Sequence, residues 1–171
     1  MLNPLSLQIG DDSGLLAIVN ADKYNSFVSE EWELTQLLNR FVDEMNSGNL
    51  IIWSTGVENT WTVSFVNKPS DKKSFREFSK TIKVTDDQLF LTNYEDLTIA
   101  AQYEDEKIPA KHSSMLCIKL DNGIYDFRIR QLFNPDVYEL PTVDEVSFEI
   151  VIQPNPEMME KQVDKVFWWT Q

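Results

Sequence analysis

Residues 115–133 read MLCIKLDNGIYDFRIRQLF, and the alternation in this stretch decides the fold class. Leu116, Ile118 and Leu120 take every second place. Beyond them Tyr125, Phe127, Ile129 and Gln131 do the same, with Asp126, Arg128, Arg130 and Leu132 on the opposite face. Successive side chains of a strand point to opposite faces, so this is the signature of half-buried β-strands. Asn122-Gly123, between the two runs, tolerates the positive φ values of a type I′ turn, and the stretch predicts a β-hairpin.

The same period extends outward. Leu5, Leu7 and Ile9 alternate with Ser6 and Gln8; a turn at Gly10 to Gly14 leads to the apolar run Leu15 to Val19, predicting a first hairpin. Leu50 to Trp53 and Trp61 to Val66 are rich in β-branched and aromatic residues and predict another hairpin across Ser54 to Thr60. Phe78, Ile82 and Val84 follow a polar loop at 67–74, and Thr85-Asp86-Asp87 turns the chain into Leu89-Phe90-Leu91. Val146, Phe148, Ile150 and Ile152 form a last strand, stopped by Pro154 and Pro156. Asn93 to Tyr103 fits two patterns. Asn93 would cap a short helix with Leu97, Ala100 and Ala101 inward, whereas Leu97, Ile99 and Ala101 fit a strand. The period-two neighbours favour the strand.

One amphipathic helix interrupts the strands near residues 30–46. Ser29 is the expected N-cap, Glu30, Glu31 and Glu33 complement the positive end of the helix dipole, and Gly48 stands where a left-handed C-cap favours glycine. Leu34, Leu37, Leu38, Phe41, Val42 and Met45 make one apolar stripe. In the tail, residues 157–171, Met159, Val163, Val166 and Phe167 recur at helical spacing before Trp168-Trp169 and predict a short C-terminal helix packed on the body. The expected architecture is a single domain over 1–171, mainly β and antiparallel β-sandwich-like, with α+β as the alternative.

The chain carries 15 Lys+Arg against 28 Asp+Glu, a formal charge of -13, yet 42% of it is hydrophobic, so the acidity sits on a folded body. Nucleic acid and anionic membrane are disfavoured as direct partners, because a field of this sign repels them; a basic protein is attracted. The other explanation is solubility alone. With no secretory signal and no run of the roughly 20 apolar residues a membrane span needs, the expected location is cytoplasmic.

Chemistry-bearing residues are sparse. A single His112 and a single Cys117 argue against a nitrogen–sulfur metal site and an internal disulfide. Cys117 lies in an apolar run, where cysteine behaves as a small hydrophobe. His112 beside Ser113 and Ser114 is not a triad, since the partners must converge in space with an orienting acid. Asp86-Asp87 and Glu104-Asp105-Glu106 lack EF-hand spacing and read as surface acids. No phosphate-binding glycine loop is present. The expectation is therefore a non-enzyme with no catalytic residue, cofactor or metal.

Surfaces remain. Glu30, Glu31 and Glu33, then Glu104, Asp105 and Glu106, then Asp136, Glu139, Asp144 and Glu145 would form a negative face that speeds encounter with a basic partner. Trp168 and Trp169 are anchors for an interface if exposed, whereas Trp53 and Trp61 fall in strands and read as core. The expected function is inhibition or immunity: occlusion of a basic toxin or nuclease by a monomer or homodimer. A small-ligand-binding or hydrolytic sandwich protein and a structural, oligomeric subunit are the alternatives.

From Lys80 to Phe133 the chain resembles the competence protein J family, small bacterial inhibitors of a DNA-entry nuclease. The likeness runs from the strand Lys80-Thr81-Ile82-Lys83-Val84 through an acidic turn and Leu89-Phe90-Leu91 to Ile118-Lys119-Leu120-Asp121-Asn122-Gly123-Ile124-Tyr125. It implies a bacterial protein that binds and restrains another protein.

Overall fold

The computed structural model describes residues 3–137, 139–157 and 162–170. Its elements are β1 (Leu5–Asp11), β2 (Leu15–Val19), α1 (Leu34–Asn46), β3 (Leu50–Ser54), β4 (Asn59–Val66), β5 (Arg76–Val84), β6 (Gln88–Asn93), α2 (Tyr94–Gln102), β7 (Cys117–Lys119), β8 (Gly123–Gln131) and β9 (Phe148–Pro154). They form a five-stranded sheet, β1-β4-β9-β8-β5, and a four-stranded sheet, β3-β2-β6-β7. All the pairings are antiparallel except β4 with β9.

The strands stand where the alternation puts them, but the hairpins do not. β7 and β8 lie in different sheets, and so do β1 and β2, β3 and β4, and β5 and β6. Each short turn is a corner at which the chain passes from one sheet to the other. β1–β2 runs antiparallel to β3–β4 through both sheets, and β5–β6 runs against β7–β8 in the same way. The molecule is thus two bent two-stranded ribbons with β9 inserted between them in the larger sheet. Period-two patterning reports which face is apolar, not which strand is the neighbour.

The first corner is built around Asp11, which is 1% exposed. Its Oδ1 accepts the backbone N–H groups of Gly14 (2.7 Å), Leu15 (3.1 Å) and Ser13 (3.3 Å). Its Oδ2 accepts Thr55 Oγ1 (2.7 Å) and Trp61 Nε1 (2.9 Å) from the facing corner. One carboxylate therefore joins both strands of the first ribbon where they change sheet.

Two cores result. Between the sheets Trp53, Trp61, Phe65, Phe127 and Phe148 are fully buried. Trp61 stacks on Phe133 (4.7 Å between centroids) and meets Phe148 edge-on (5.6 Å), contacts worth about 0.5–1.5 kcal/mol each beyond area burial. On the other face of the smaller sheet Leu15, Ala17, Val19, Leu50 and Ile52 pack against Leu37, Phe41 and Met45 of α1 and Leu97, Ala100 and Ala101 of α2. β2 is buried on both faces, which explains its unbroken apolar run. The layers are sheet, sheet and helices.

Both helices depart from the sequence reading, the first at its start and the second in its type. α1 begins at Leu34, not near residue 30: the Glu33 N–H donates to Gln36 Oε1 at 2.8 Å, so the box closes on Glu33 and Ser29 belongs to the preceding turn. Gly48, at φ +77, follows the helix as expected. Residues 94–102 are helix rather than strand. Asn93 Oδ1 accepts the Asp96 N–H (3.0 Å), and this cap decides a pattern that period alone left open.

The tail docks, but residues 162–170 contain no helix; the expected helix otherwise falls on 158–161 and 171, outside the described residues, and on Glu157, which lies in a turn. The reason is an open sheet edge. Phe167 bridges to Trp53 on β3, and its carbonyl accepts the Ser54 N–H (2.9 Å), so edge pairing takes the backbone groups a helix would have used. Asn46, the last residue of α1, exchanges two hydrogen bonds with the backbone of Val163 (2.8 and 2.9 Å). Asn46→Ala is expected to lower stability by about 1–3 kcal/mol. Limited proteolysis should show the tail cut first in that variant, and an unchanged cleavage pattern would mean the β3 contact alone holds it.

Candidate protein-binding site

β5 and β3 are edge strands of the two sheets, and the docked tail brings their chemistry together. Phe78 on β5 stacks on Phe167 (3.8 Å, 8° between planes) and meets Trp168 edge-on (4.9 Å). The Arg76 guanidinium lies 4.2 Å from the centroid of the Trp168 ring and 5.8 Å from that of Phe75, within cation–π range. Arg76 Nε donates to Gln131 Oε1 (2.6 Å) and Nη2 to the Ser54 carbonyl (3.2 Å). Burial pulls the Arg76 pKa down, and the charge of Asp136 opposes that pull. Phe75 (47% exposed) and Val137 (48%) stay open to solvent beside this group.

Trp168 holds φ +63, a left-handed conformation that a bulky residue adopts only when its surroundings over-determine it, at a cost on the order of 1–3 kcal/mol. The two terminal indoles take different sides. Trp168 packs at the rim of the inter-sheet core and Trp169 against the helical layer, both half-buried. Trp53 and Trp61 are core residues, as their strand positions imply.

The acidic connection from β8 to β9 adjoins this aromatic group. Asp136, Glu139, Asp144 and Glu145 are all exposed. Asn59 Nδ2 donates to the Pro141 carbonyl (3.2 Å) and Thr62 Oγ1 to the Val143 carbonyl (2.6 Å), tying the connection to β4. Pro135 is packed so closely on Gly56 that a Cβ there would sit 2.8 Å from it, and Gly56 holds φ +90, so no other residue fits this contact without strain. The carboxylates therefore stand on a braced support.

The other predicted acids lie elsewhere. Hydrogen bonds from Val28 and Ser29 to the Ala101 carbonyl (2.8 and 3.1 Å) bring Glu30, Glu31 and Glu33 toward the end of α2, from which Glu104, Asp105 and Glu106 follow. All six are exposed. The ten carboxylates thus form two groups, one on the helical layer and one on the β8–β9 connection; the second reaches the aromatic group through the charge of Asp136 on Arg76. Sequence reading passed over Phe75 and Arg76, whose signal is a cation between two aromatics, Phe75-Arg76-Glu77-Phe78, at the mouth of a strand.

The cations are segregated. Eight of the 15 Lys and Arg fall in residues 68–83 and 128–130 with only two of the 28 acids, so the remaining surface is more negative than the net charge states. Several of these cations are used internally. Arg130 pairs with the buried Glu149, reaches Glu77 at 3.3 Å and donates to the Lys72 carbonyl, fastening the 67–74 loop to the outer face of the larger sheet. The Ser74 hydroxyl, then Arg130, hold the Glu77 pKa below the usual carboxylate range.

His112 is exposed, with Nε2 3.2 Å from Asp96 Oδ1, while Ser113 Oγ donates to Asp96 Oδ2 (2.9 Å). Serine and imidazole share one carboxylate instead of facing each other, an arrangement that pins the 3-10 turn at 111–113 to α2. Cys117 is half-buried, with Sγ 3.4 Å from Gln88 Oε1. Among the described residues no three His, Cys, Asp or Glu side chains are grouped to hold a metal, and no helix is long and apolar enough to cross a membrane.

Set beside known proteins, the chain matches no family model and no curated protein. It is similar in structure to a solved chain described as crocagin biosynthetic gene J, at a TM-score of 0.60 and 10% identity, over 90% of this chain and 98% of that one. That likeness shows a shared fold. A second solved structure, ComJ from Bacillus subtilis, described as an inhibitor of the DNA-degrading activity of NucA, matches at a TM-score of 0.48 and 10% identity, over 89% of this chain and 96% of that one.

Proposed function

We propose that this protein restrains a basic protein partner, a nuclease or toxin of a bacterial cytoplasm, by covering its cationic surface with carboxylates that stand where substrate phosphates would lie. The observation that carries the reading is the braced acidic connection 136–145 beside the Phe75–Arg76–Trp168 group. Trp and Arg anchors rimmed by charge are the usual composition of an energetic centre in an interface. The resemblance of residues 80–133 to the competence protein J family supports the same reading. Complementary charge would raise the encounter rate and make binding salt-dependent. Affinity capture with the purified chain, at low salt and again at about 0.5 M, tests it. The expected result is a basic partner retained at low salt, lost at high salt, and absent when Asp136, Glu139, Asp144 and Glu145 are all replaced by their amides. Capture of no basic protein at either salt would overturn it.

A further inference from the structure

A cleft of about 860 Å³ opens at the β7–β8 corner, at the end of the sandwich remote from Asp11, and its volume is that of a small-molecule site. Its lining combines apolar and polar side chains, the amides of Asn67 and Gln153 among them. Leu120 and Ile152, both buried in the inter-sheet core, supply an apolar floor, and the half-buried ring of Tyr125 supplies a wall. Asp87 and Asp121 line it as exposed carboxylates. Lys119, the one cation among the described lining residues, has its Nζ 3.2 Å from Gln88 Oε1.

The rim is held in place by the protein itself. Tyr125 Oη donates to the Asp121 carbonyl (2.7 Å), the Asp87 N–H to Asn122 Oδ1 (2.7 Å) and the Leu120 N–H to the Asp87 carbonyl (3.3 Å). Burial, and then the charge of Asp121, raise the Tyr125 pKa, so the phenol stays a neutral donor at physiological pH. A preformed cleft with an apolar floor, an aromatic wall and two carboxylates against one engaged ammonium selects a flat apolar body bearing positive charge.

We propose that this cleft is a binding site for a small amine-bearing aromatic molecule, its ring on Leu120, Ile152 and Tyr125 and its ammonium toward Asp87 and Asp121. The site is separate from the acidic connection and stands or falls independently of it. Tryptamine is the probe, with indole-3-acetate as its anionic counterpart, and binding is read from the Ile152 methyl resonance. Tryptamine should shift that resonance saturably, with a Kd on the order of 1 mM or tighter, as suits a ligand of about a dozen heavy atoms. Indole-3-acetate should bind at least about tenfold more weakly. In the Asp87→Asn/Asp121→Asn variant the tryptamine affinity should fall by about tenfold, as expected for two partly exposed charge contacts. Asp87 holds φ +54, which asparagine tolerates, so the variant keeps its corner. Should that variant nevertheless unfold, the comparison of the two ligands on the unaltered protein decides alone. No saturable shift with tryptamine, equal or tighter binding of indole-3-acetate, or undiminished tryptamine binding by a folded double variant would overturn the assignment.

Discussion

Asp11→Ala is expected to destabilise the protein by about 3–5 kcal/mol, as much as truncating a fully buried core aromatic. Five donors converge on this buried carboxylate, three backbone N–H groups of the β1–β2 corner and the side chains of Thr55 and Trp61. Truncation leaves the Thr55 hydroxyl its second acceptor, the Val57 carbonyl (2.8 Å), but sets the other four donors facing a small void; each buried donor without a partner costs about 1–3 kcal/mol, less what relaxation or an entering water recovers. Asp11→Asn should lose less, about 2–3 kcal/mol, because an amide keeps one acceptor but turns an NH2 toward a donor. Urea unfolding with unchanged m-value checks both. A loss under about 1 kcal/mol for the alanine variant would mean that the two ribbons are joined by their apolar contacts alone.

Trp168→Gly is expected to weaken binding of the captured partner by at least about 30-fold, some 2 kcal/mol, the threshold of an interface hot spot. Glycine is the informative replacement. It adopts φ +63 without penalty, so the backbone path of the tail is kept while the indole over Arg76 is lost. Arg76 remains tied to Gln131 and Ser54, and Phe167 keeps its bridge to Trp53, so the far-ultraviolet circular dichroism should not change. Folded protein with undiminished affinity would make Trp168 a packing residue and move the anchor elsewhere, Phe75 being the next exposed ring.

Strand positions were legible because burial on one face imprints a period of two, as at Phe127 and Ile129 of β8. Pairing was not legible, since Asn122-Gly123 suits a hairpin and a sheet-crossing corner equally well. The three-four stripe of α1 was clear, but its start depended on whether Ser29 or Glu33 closed the cap, a choice made by the reach of Gln36. In the tail, helical spacing at Val163, Val166 and Phe167 lost to an unpaired β3 edge that only the assembled sheet provides. The charge surplus was plain from composition. Its division into two groups, and the meeting of Arg76 with Trp168, arise from contacts distant in sequence that no local pattern encodes.

The central claim is that carboxylates on the 136–145 connection hold a cationic protein by attraction. The most direct measurement is the Kd of the captured partner against salt concentration, for the unaltered chain and for the chain with Asp136, Glu139, Asp144 and Glu145 replaced by amides. Affinity should fall steeply with salt for the first, and the neutralised chain should bind far more weakly with a much shallower dependence. Equal affinities and parallel salt curves for the two chains would contradict the account.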